Sequence, residues 1–235
     1  KNGAAAHRQS TKCARAWRRL DLVKRAGAGG RKATFSKAGG DTATSTLPQF
    51  TWLNPTKVIF GPGRLAELPA AIEQVAGAQA RVFLVTGQRN LRESGVLQQV
   101  VDSIGPSRIT LFDRVTPFPG PQLVGDALDA CRQSSSQLVV AIGGGSAIDT
   151  GKIVSVLMTH EGTWDEYLTG ERKISHHGIP FIAVPTTSGS SSEVTAGAAV
   201  WDWEAKRSIN LIHPGMFPDV AKIGEHTSEL QSHLN

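Results

Sequence analysis

The chain has 235 residues and a mass of 25.0 kDa; its 40% hydrophobic content can fill the core of one large or two small domains, which excludes a wholly disordered polymer. No run of 18 or more uncharged apolar residues occurs, so no membrane-spanning helix is predicted, and the two distant cysteines, Cys13 and Cys131, exclude a disulfide scaffold and a thiolate metal knuckle. The net charge of +5 is uneven: residues 1–46 carry eleven Lys or Arg against Asp21 and Asp41, while the remainder carries fourteen against eighteen acids.

Residues 1–48 are therefore set apart as a basic arm. Arg15, Arg18, Arg19, Lys24 and Arg25 mix with Gly29-Gly30 and Gly39-Gly40 without a sustained apolar period, the composition of a disordered segment. An Arg-rich organelle presequence, a phosphate-binding tail and a nuclear-type basic cluster are the functional alternatives. The cysteine usage fits a reducing compartment, so a cytoplasmic location is expected, or a mitochondrial one if the arm is a presequence.

From Phe50 onward β-branched apolar runs alternate with helical spacing. Lys57 to Phe60 is a predicted strand closed by Gly61-Pro62-Gly63, after which Leu65, Leu68, Ile72 and Val75 mark a helix. Arg81 to Thr86 is a strand, Val96, Leu97, Val100 and Ile104 a helix face, and Ile109 to Phe112 a strand. Val124, Leu128 and Cys131 lie on a helix that stops at the serines 134–136. Gln137 to Ile142 is a strand, about Ala147 to Met158 a helix, Gly170 to Gly178 a loop and Pro180 to Val184 a strand. Such a βαβα order predicts an α/β fold, a doubly wound, mostly parallel, Rossmann-like sheet with helices on both faces.

The strongest local signal for a ligand is Leu138-Val139-Val140-Ala141-Ile142 running into Gly143-Gly144-Gly145-Ser146-Ala147-Ile148-Asp149-Thr150-Gly151-Lys152. Glycines allow close backbone approach, and a helix start offers N–H groups to anionic oxygens, the requirements of a pyrophosphate cradle. Two common templates fit badly. Ile148 stands where a GxGxxG fingerprint needs its third glycine, and Gly145 to Gly151 is one residue too long for a P-loop, with Ile153 in the magnesium-contacting position. Asp149 and Lys152, three apart on one helix, read either as an intrahelical ion pair or as groups beside the phosphates. A second cluster, Val184-Pro185-Thr186-Thr187-Ser188-Gly189-Ser190-Ser191-Ser192-Glu193-Val194-Thr195, follows a strand and so belongs at the carboxyl edge of the sheet, where ligands bind. Taken alone it would be a solvated serine loop.

Together GGGSAIDTGK and PTTSGSSSEVT resemble the iron-containing (group III) alcohol dehydrogenase family, with the early FGPG and the late Lys206 in the family's order. The resemblance runs from about Phe50 to Ile223, the family's N-terminal dinucleotide-binding half, and defines a domain over residues 49–223. It implies that Gly144, Gly145 and Ser146 hold the cofactor pyrophosphate, that Thr186, Thr187 and Ser190 line the nicotinamide side, and that Lys206 reaches the cofactor; Asp149, by its place on the cradle helix, and Gly87, after the strand to Thr86, are the further cofactor-binding candidates. It implies an alcohol or aldehyde substrate, NADP or NAD as cofactor, a divalent metal such as iron or zinc in the whole protein, and a homodimer there.

Two departures from the family pattern stand out. Where many members carry an acid that holds the ribose hydroxyls, this chain has Thr86-Gly87-Gln88-Arg89-Asn90, which is similar to the NADP-using members, because a 2′-phosphate needs room and a cation. After Pro218-Asp219-Val220-Ala221-Lys222-Ile223 the family continues with the Asp that begins metal ligation. Here Gly224 follows, and residues 224–235 do not resemble the family, which suggests a truncated frame lacking the second, helical domain. His226 and His233 are not expected to bind a metal, and His176-His177 are expected to be solvated. A dehydroquinate-synthase-like lyase sharing the cradle and a nucleic-acid-binding protein acting through the arm are the rival readings, the second disfavoured by the acidic balance of the body.

Overall fold

The computed structural model describes residues 54–224, so the expectations for residues 1–48 and for the tail after Gly224, His226 and His233 included, lie outside the described residues. Six strands form one parallel sheet: β1 (Lys57–Phe60), β2 (Val82–Gly87), β3 (Ile109–Val115), β4 (Leu138–Gly143), β5 (Phe181–Pro185) and β8 (Val220–Ile223), in the order β1-β8-β5-β4-β2-β3. Two further strands, β6 (Gly197–Asp202) and β7 (Arg207–Ile212), pair as a separate antiparallel hairpin. The helices are α1 (Leu68–Ala76), α2 (Asn90–Glu93), α3 (Val96–Ile104), α4 (Pro121–Ser134), α5 (Gly145–Leu157) and α6 (Trp164–Thr169). None of the described helices is long and apolar enough to cross a membrane.

The central strands are apolar on both sides because helices cover both faces of the sheet. Along β2 the side chains alternate: Val82 and Leu84 face a core with Leu68 and Ile72 of α1 and Leu97 and Val100 of α3. Phe83 and Val85 face the opposite core, with Val124 and Leu128 of α4 and Ile153 and Leu157 of α5. Each such fully buried side chain contributes about 1.5–3 kcal/mol of hydrophobic stabilisation. Helix α5 is buried on nearly every side from Ala147 to Leu157, since the sheet, α4 and the hairpin enclose it. Its Gly151 lets it sit close to the sheet: a Cβ there would come within 2.8 Å of Ala141 Cβ and of the Phe181 ring. The far end of α5 is closed by Arg132, whose guanidinium donates to the carbonyls of Leu157 at 3.2 Å, His160 at 2.8 Å and Gly162 at 2.9 Å.

Two elements were not expected from the sequence. Helix α6 precedes the Gly170 loop and is nucleated by a reciprocal capping box between Thr163 and Glu166. The β6–β7 hairpin occupies the stretch between the serine cluster and Pro218. Its inner residues Ala198 and Val200 are buried in the α5-side core, while Arg207, Ser208 and Asn210 face water.

Candidate functional site: a cleft at the carboxyl edge of the sheet

Strand order reverses between β2 and β4: from β4 the chain goes on to β5 and β8 on one side, whereas β2 and β3 lie on the other. Crevices at such switch points, outside the carboxyl ends of the strands, are where open α/β sheets bind ligands. The register aligns these ends, with Thr86 opposite Ile142 and Gly143 opposite Pro185. A cleft of about 310 Å³ opens there. Its floor and walls come from the ends of β2, β3 and β4, the start of α5, and Thr186 and Thr187 after β5.

The start of α5, from Gly145 to Ala147, lines this cleft. Gly144 is extended at the N-cap and no side chain caps the helix; Ala147 N–H donates to Gly144 O at 3.1 Å, which leaves the N–H groups of Gly145 and Ser146, both lining the cleft, for a ligand. The glycines are required by crowding. A Cβ on Gly144 would lie 3.1 Å from Thr187 Oγ1, one on Gly145 would lie 2.8 Å from Ser190 Oγ, and one on Gly143 would meet Ala147 Cβ at 2.8 Å. Thr186 N–H donates to Gly143 O at 2.9 Å, which fixes the second loop against the first. Among the described residues no Asp or Glu lines the cleft, and Arg89, which lines it, is exposed.

Of the predicted residues, Gly87, Gly144, Gly145, Ser146, Thr186 and Thr187 line this one cleft. Ser190 stands behind the cradle, packed on Gly145. Asp149 is turned away from the cleft: it accepts from Ser192 Oγ at 2.6 Å and from Ala199 N–H at 2.9 Å. Lys152 is fully buried and donates to Thr195 Oγ1 at 3.1 Å and to Gly197 O at 2.8 Å. The two residues act as a clamp joining the cradle helix to the serine loop and the hairpin, rather than as an ion pair or a phosphate contact. Burial pushes the Lys152 ammonium down to about 8 despite the attraction of Asp149 and Glu193. Desolvation raises the Asp149 carboxyl, and the Ser192 hydroxyl, the Ala199 N–H and Lys152 oppose that rise. Lys206 sits at φ 49° in the exposed turn between β6 and β7 and is not among the residues lining the cleft.

Sequence reading missed Thr116 and Pro117, which line the cleft after β3. The Thr-Pro pair directly after a strand was the available signal. His176 is exposed as expected, yet its ring stacks on the buried His160 at 3.8 Å between centroids. Among the described residues no three His, Cys, Asp or Glu side chains come together as a metal site, and Gly224 stands where the resemblance expects the first metal-binding Asp. The residues at the cleft thus fit the phosphates of a dinucleotide, while the described residues do not fit a catalytic metal.

Comparison with known proteins bears on this site directly. The sequence pattern of the iron-containing alcohol dehydrogenases matches residues 55–223. The probable NADH-dependent butanol dehydrogenase 1 of Bacillus subtilis (strain 168) is 29% identical over 175 residues, 73% of this chain and 44% of that protein. The 4-hydroxybutyrate dehydrogenase of Cupriavidus necator is 37% identical over 123 residues, 51% of this chain and 32% of that protein. Among solved structures, the sulfoacetaldehyde reductase of Bifidobacterium kashiwanohense in complex with NAD+ superposes with a TM-score of 0.70 at 25% identity, covering 77% of this chain and 47% of that one. The NADH-dependent butanol dehydrogenase A of Thermotoga maritima superposes with a TM-score of 0.68 at 26% identity, covering 76% and 45%. The chain spans less than half the length of each of these relatives. With the parallel sheet, the glycine cradle and the family pattern over residues 55–223 in agreement, the chain belongs to the iron-containing alcohol dehydrogenase family.

Proposed function

We propose that this chain is the cofactor-binding part of a nicotinamide-dependent alcohol dehydrogenase, whose whole protein transfers hydride between an alcohol or aldehyde and the nicotinamide. The observation that carries this reading is the uncapped start of α5 behind three crowded glycines at the switch point of the sheet. Gly144, Gly145 and Ser146 would hold the pyrophosphate by backbone N–H groups and a hydroxyl. Thr186 and Thr187 would orient the nicotinamide end, and Gly87 would leave room for the adenosine ribose at the end of β2. When bound, the dinucleotide supplies the hydride acceptor or donor. The chain's own residues bind it, orient it and keep its phosphates in register with the sheet edge.

NADP is the form this cleft would prefer. Relatives carry names that specify NADH, and the departure proposed here rests on the rim: Arg89 follows β2 by two residues, and among the described residues no carboxylate lines the cleft to repel a 2′-phosphate. The test is a fluorescence titration of the 235-residue chain with NADPH and with NADH. NADPH should bind more tightly, and Arg89→Ala should reduce that preference while leaving NADH unchanged. Equal affinities in both proteins would remove the NADP assignment, and no binding of either nucleotide would remove the cofactor reading.

A further inference from the structure

The chain leaves β3 along the cleft at Thr116 and Pro117 and runs into α4, and the residue that follows Pro117 has an unusual backbone. Phe118 sits at φ 54°, the left-handed region that a bulky L-residue enters only when its surroundings impose it. Here the hairpin imposes it. The Phe118 ring meets Trp201 edge-on at 5.0 Å between centroids and Trp203 at 6.3 Å. Trp203 Nε1–H donates to Phe118 O at 3.2 Å, and Trp201 N–H donates to Pro119 O at 2.9 Å. Burial does not explain the conformation, since Phe118 remains 51% exposed and Trp203 61%. Its consequence lies on the other side of the residue: the Phe118 N–H donates to Ser146 Oγ at 3.1 Å, and Ser146 lines the cleft on the first turn of α5.

We propose that Phe118, held in the left-handed conformation by Trp201 and Trp203, is a positioning residue that orients the Ser146 hydroxyl toward the cofactor's pyrophosphate. A hydroxyl has one hydrogen and two acceptor lone pairs. Phe118 N–H engages a lone pair, so the hydrogen of Ser146 is left to be donated elsewhere and the side chain is kept from rotating freely. A phosphate oxygen only accepts, and a hydroxyl fixed with its lone pair toward protein and its hydrogen available to the cleft is the form such a ligand needs. The hairpin, which lies outside the parallel sheet, acquires a role through this link: it sets the donor geometry of the cradle through Phe118. This inference rests on the reading that the cleft binds a dinucleotide through its phosphates.

A double-mutant cycle on the full 235-residue chain tests it, with NADPH and NADH titration as the readout and urea melts as the check on folding. Phe118→Gly keeps the N–H and accepts the left-handed backbone but removes the ring that anchors it. Ser146→Ala removes the hydroxyl. Each change should weaken dinucleotide binding about three- to tenfold, the range of one lost hydrogen bond. The double variant should bind no more weakly than Ser146→Ala alone, because the first residue acts through the second. Phe118→Tyr, which keeps the ring, should bind as the unaltered chain does. Binding of adenosine, which has no phosphate, should not change in any of them. Multiplying effects in the double variant, unchanged binding in Phe118→Gly, or an equal loss of adenosine binding would each overturn the proposal. If Phe118→Gly fails to fold, Trp203→Phe, which removes the indole N–H to Phe118 O and shrinks the ring beside Phe118, takes its place in the same cycle. Failure of the unaltered chain to bind either dinucleotide would refute the reading of the cleft and this inference with it, whereas normal binding with multiplying variants refutes the inference alone.

Discussion

Asp149 ties the cradle helix to two segments more than forty residues away, and its replacement should show how strongly. Its two carboxylate oxygens accept from Ser192 Oγ at 2.6 Å and from Ala199 N–H at 2.9 Å. Hydrogen bonds to an ionised group contribute about 1.5–3 kcal/mol each. The half-buried position works against the upper end of that range, since desolvation raises the carboxyl and so weakens the ionised form. Asp149→Ala removes both bonds, leaves two donors unmatched and takes away the larger carboxylate attraction on buried Lys152. A loss of about 3 kcal/mol in unfolding free energy is expected. Asp149→Asn should cost only about 1 kcal/mol, because its Oδ1 can accept from Ala199 N–H while its Nδ2 donates to the Ser192 hydroxyl, which can turn to accept. Urea unfolding of the three proteins measures both values, and titration of the folded Ala variant should show weakened NADPH binding as the serine loop behind Gly145 is released. An Ala variant within about 1 kcal/mol of the original, or an Asn variant as costly as Ala, would refute the clamp.

Three further outcomes follow from the same geometry. Gly145→Val should keep the far-UV circular dichroism of the fold and lose dinucleotide binding, because its Cβ alone would reach 2.8 Å from Ser190 Oγ and force the cradle and the serine loop apart; titration with NADPH decides it. The charge on Lys152 costs stability while it is buried: with its folded value near 8 against 10.5 in the unfolded chain, the penalty of about 3 kcal/mol is full below pH 8 and relieved as pH rises from 8 towards 10.5, where the unfolded chain holds more protons. Urea melts across that window should rise in the original protein and stay flatter in Lys152→Met. At the acid end, His160 accepts Ser175 N–H at Nε2, 3.1 Å away, while its Nδ1 faces Val156 O at 2.7 Å, the arrangement of a neutral ring donating from Nδ1. Burial first, with His176 and His213 adding to it, holds its pKa below 6.5, so the unfolded chain takes up more protons as pH falls through 6.5 and stability drops there. His160→Gln, which cannot titrate, should reduce that slope in melts taken on either side of pH 6.5.

How much of this could be read from the chain depends on the distance over which each feature is determined. The strand from Leu138 to Ile142, the three glycines and the helix behind them are local: an apolar run long enough for a buried strand, then residues that only a close backbone approach explains, then helical spacing. The apolar run within Arg81 to Thr86 and the helical spacing of Val96, Leu97, Val100 and Ile104, set in a βαβα order, likewise pointed to the parallel sheet with helices on both faces. Helix α6 was hidden because six residues are too few for a helical period, and its stability comes from the Thr163–Glu166 box and the burial of Trp164 and Tyr167. The hairpin was hidden because Gly197-Ala198-Ala199-Val200 is weakly apolar and β7 faces water along one side, so its strands exist by pairing with each other and packing on α5. Asp149 and Lys152, three apart on one helix, look in sequence like partners of each other. Only the tertiary structure places Ser192, Ala199, Thr195 and Gly197 against them, because hydrogen bonds across forty residues leave no spacing to read. The same holds for Phe118: nothing beside it in the chain calls for a left-handed phenylalanine, and the two tryptophans that hold it so come from a hairpin more than eighty residues on.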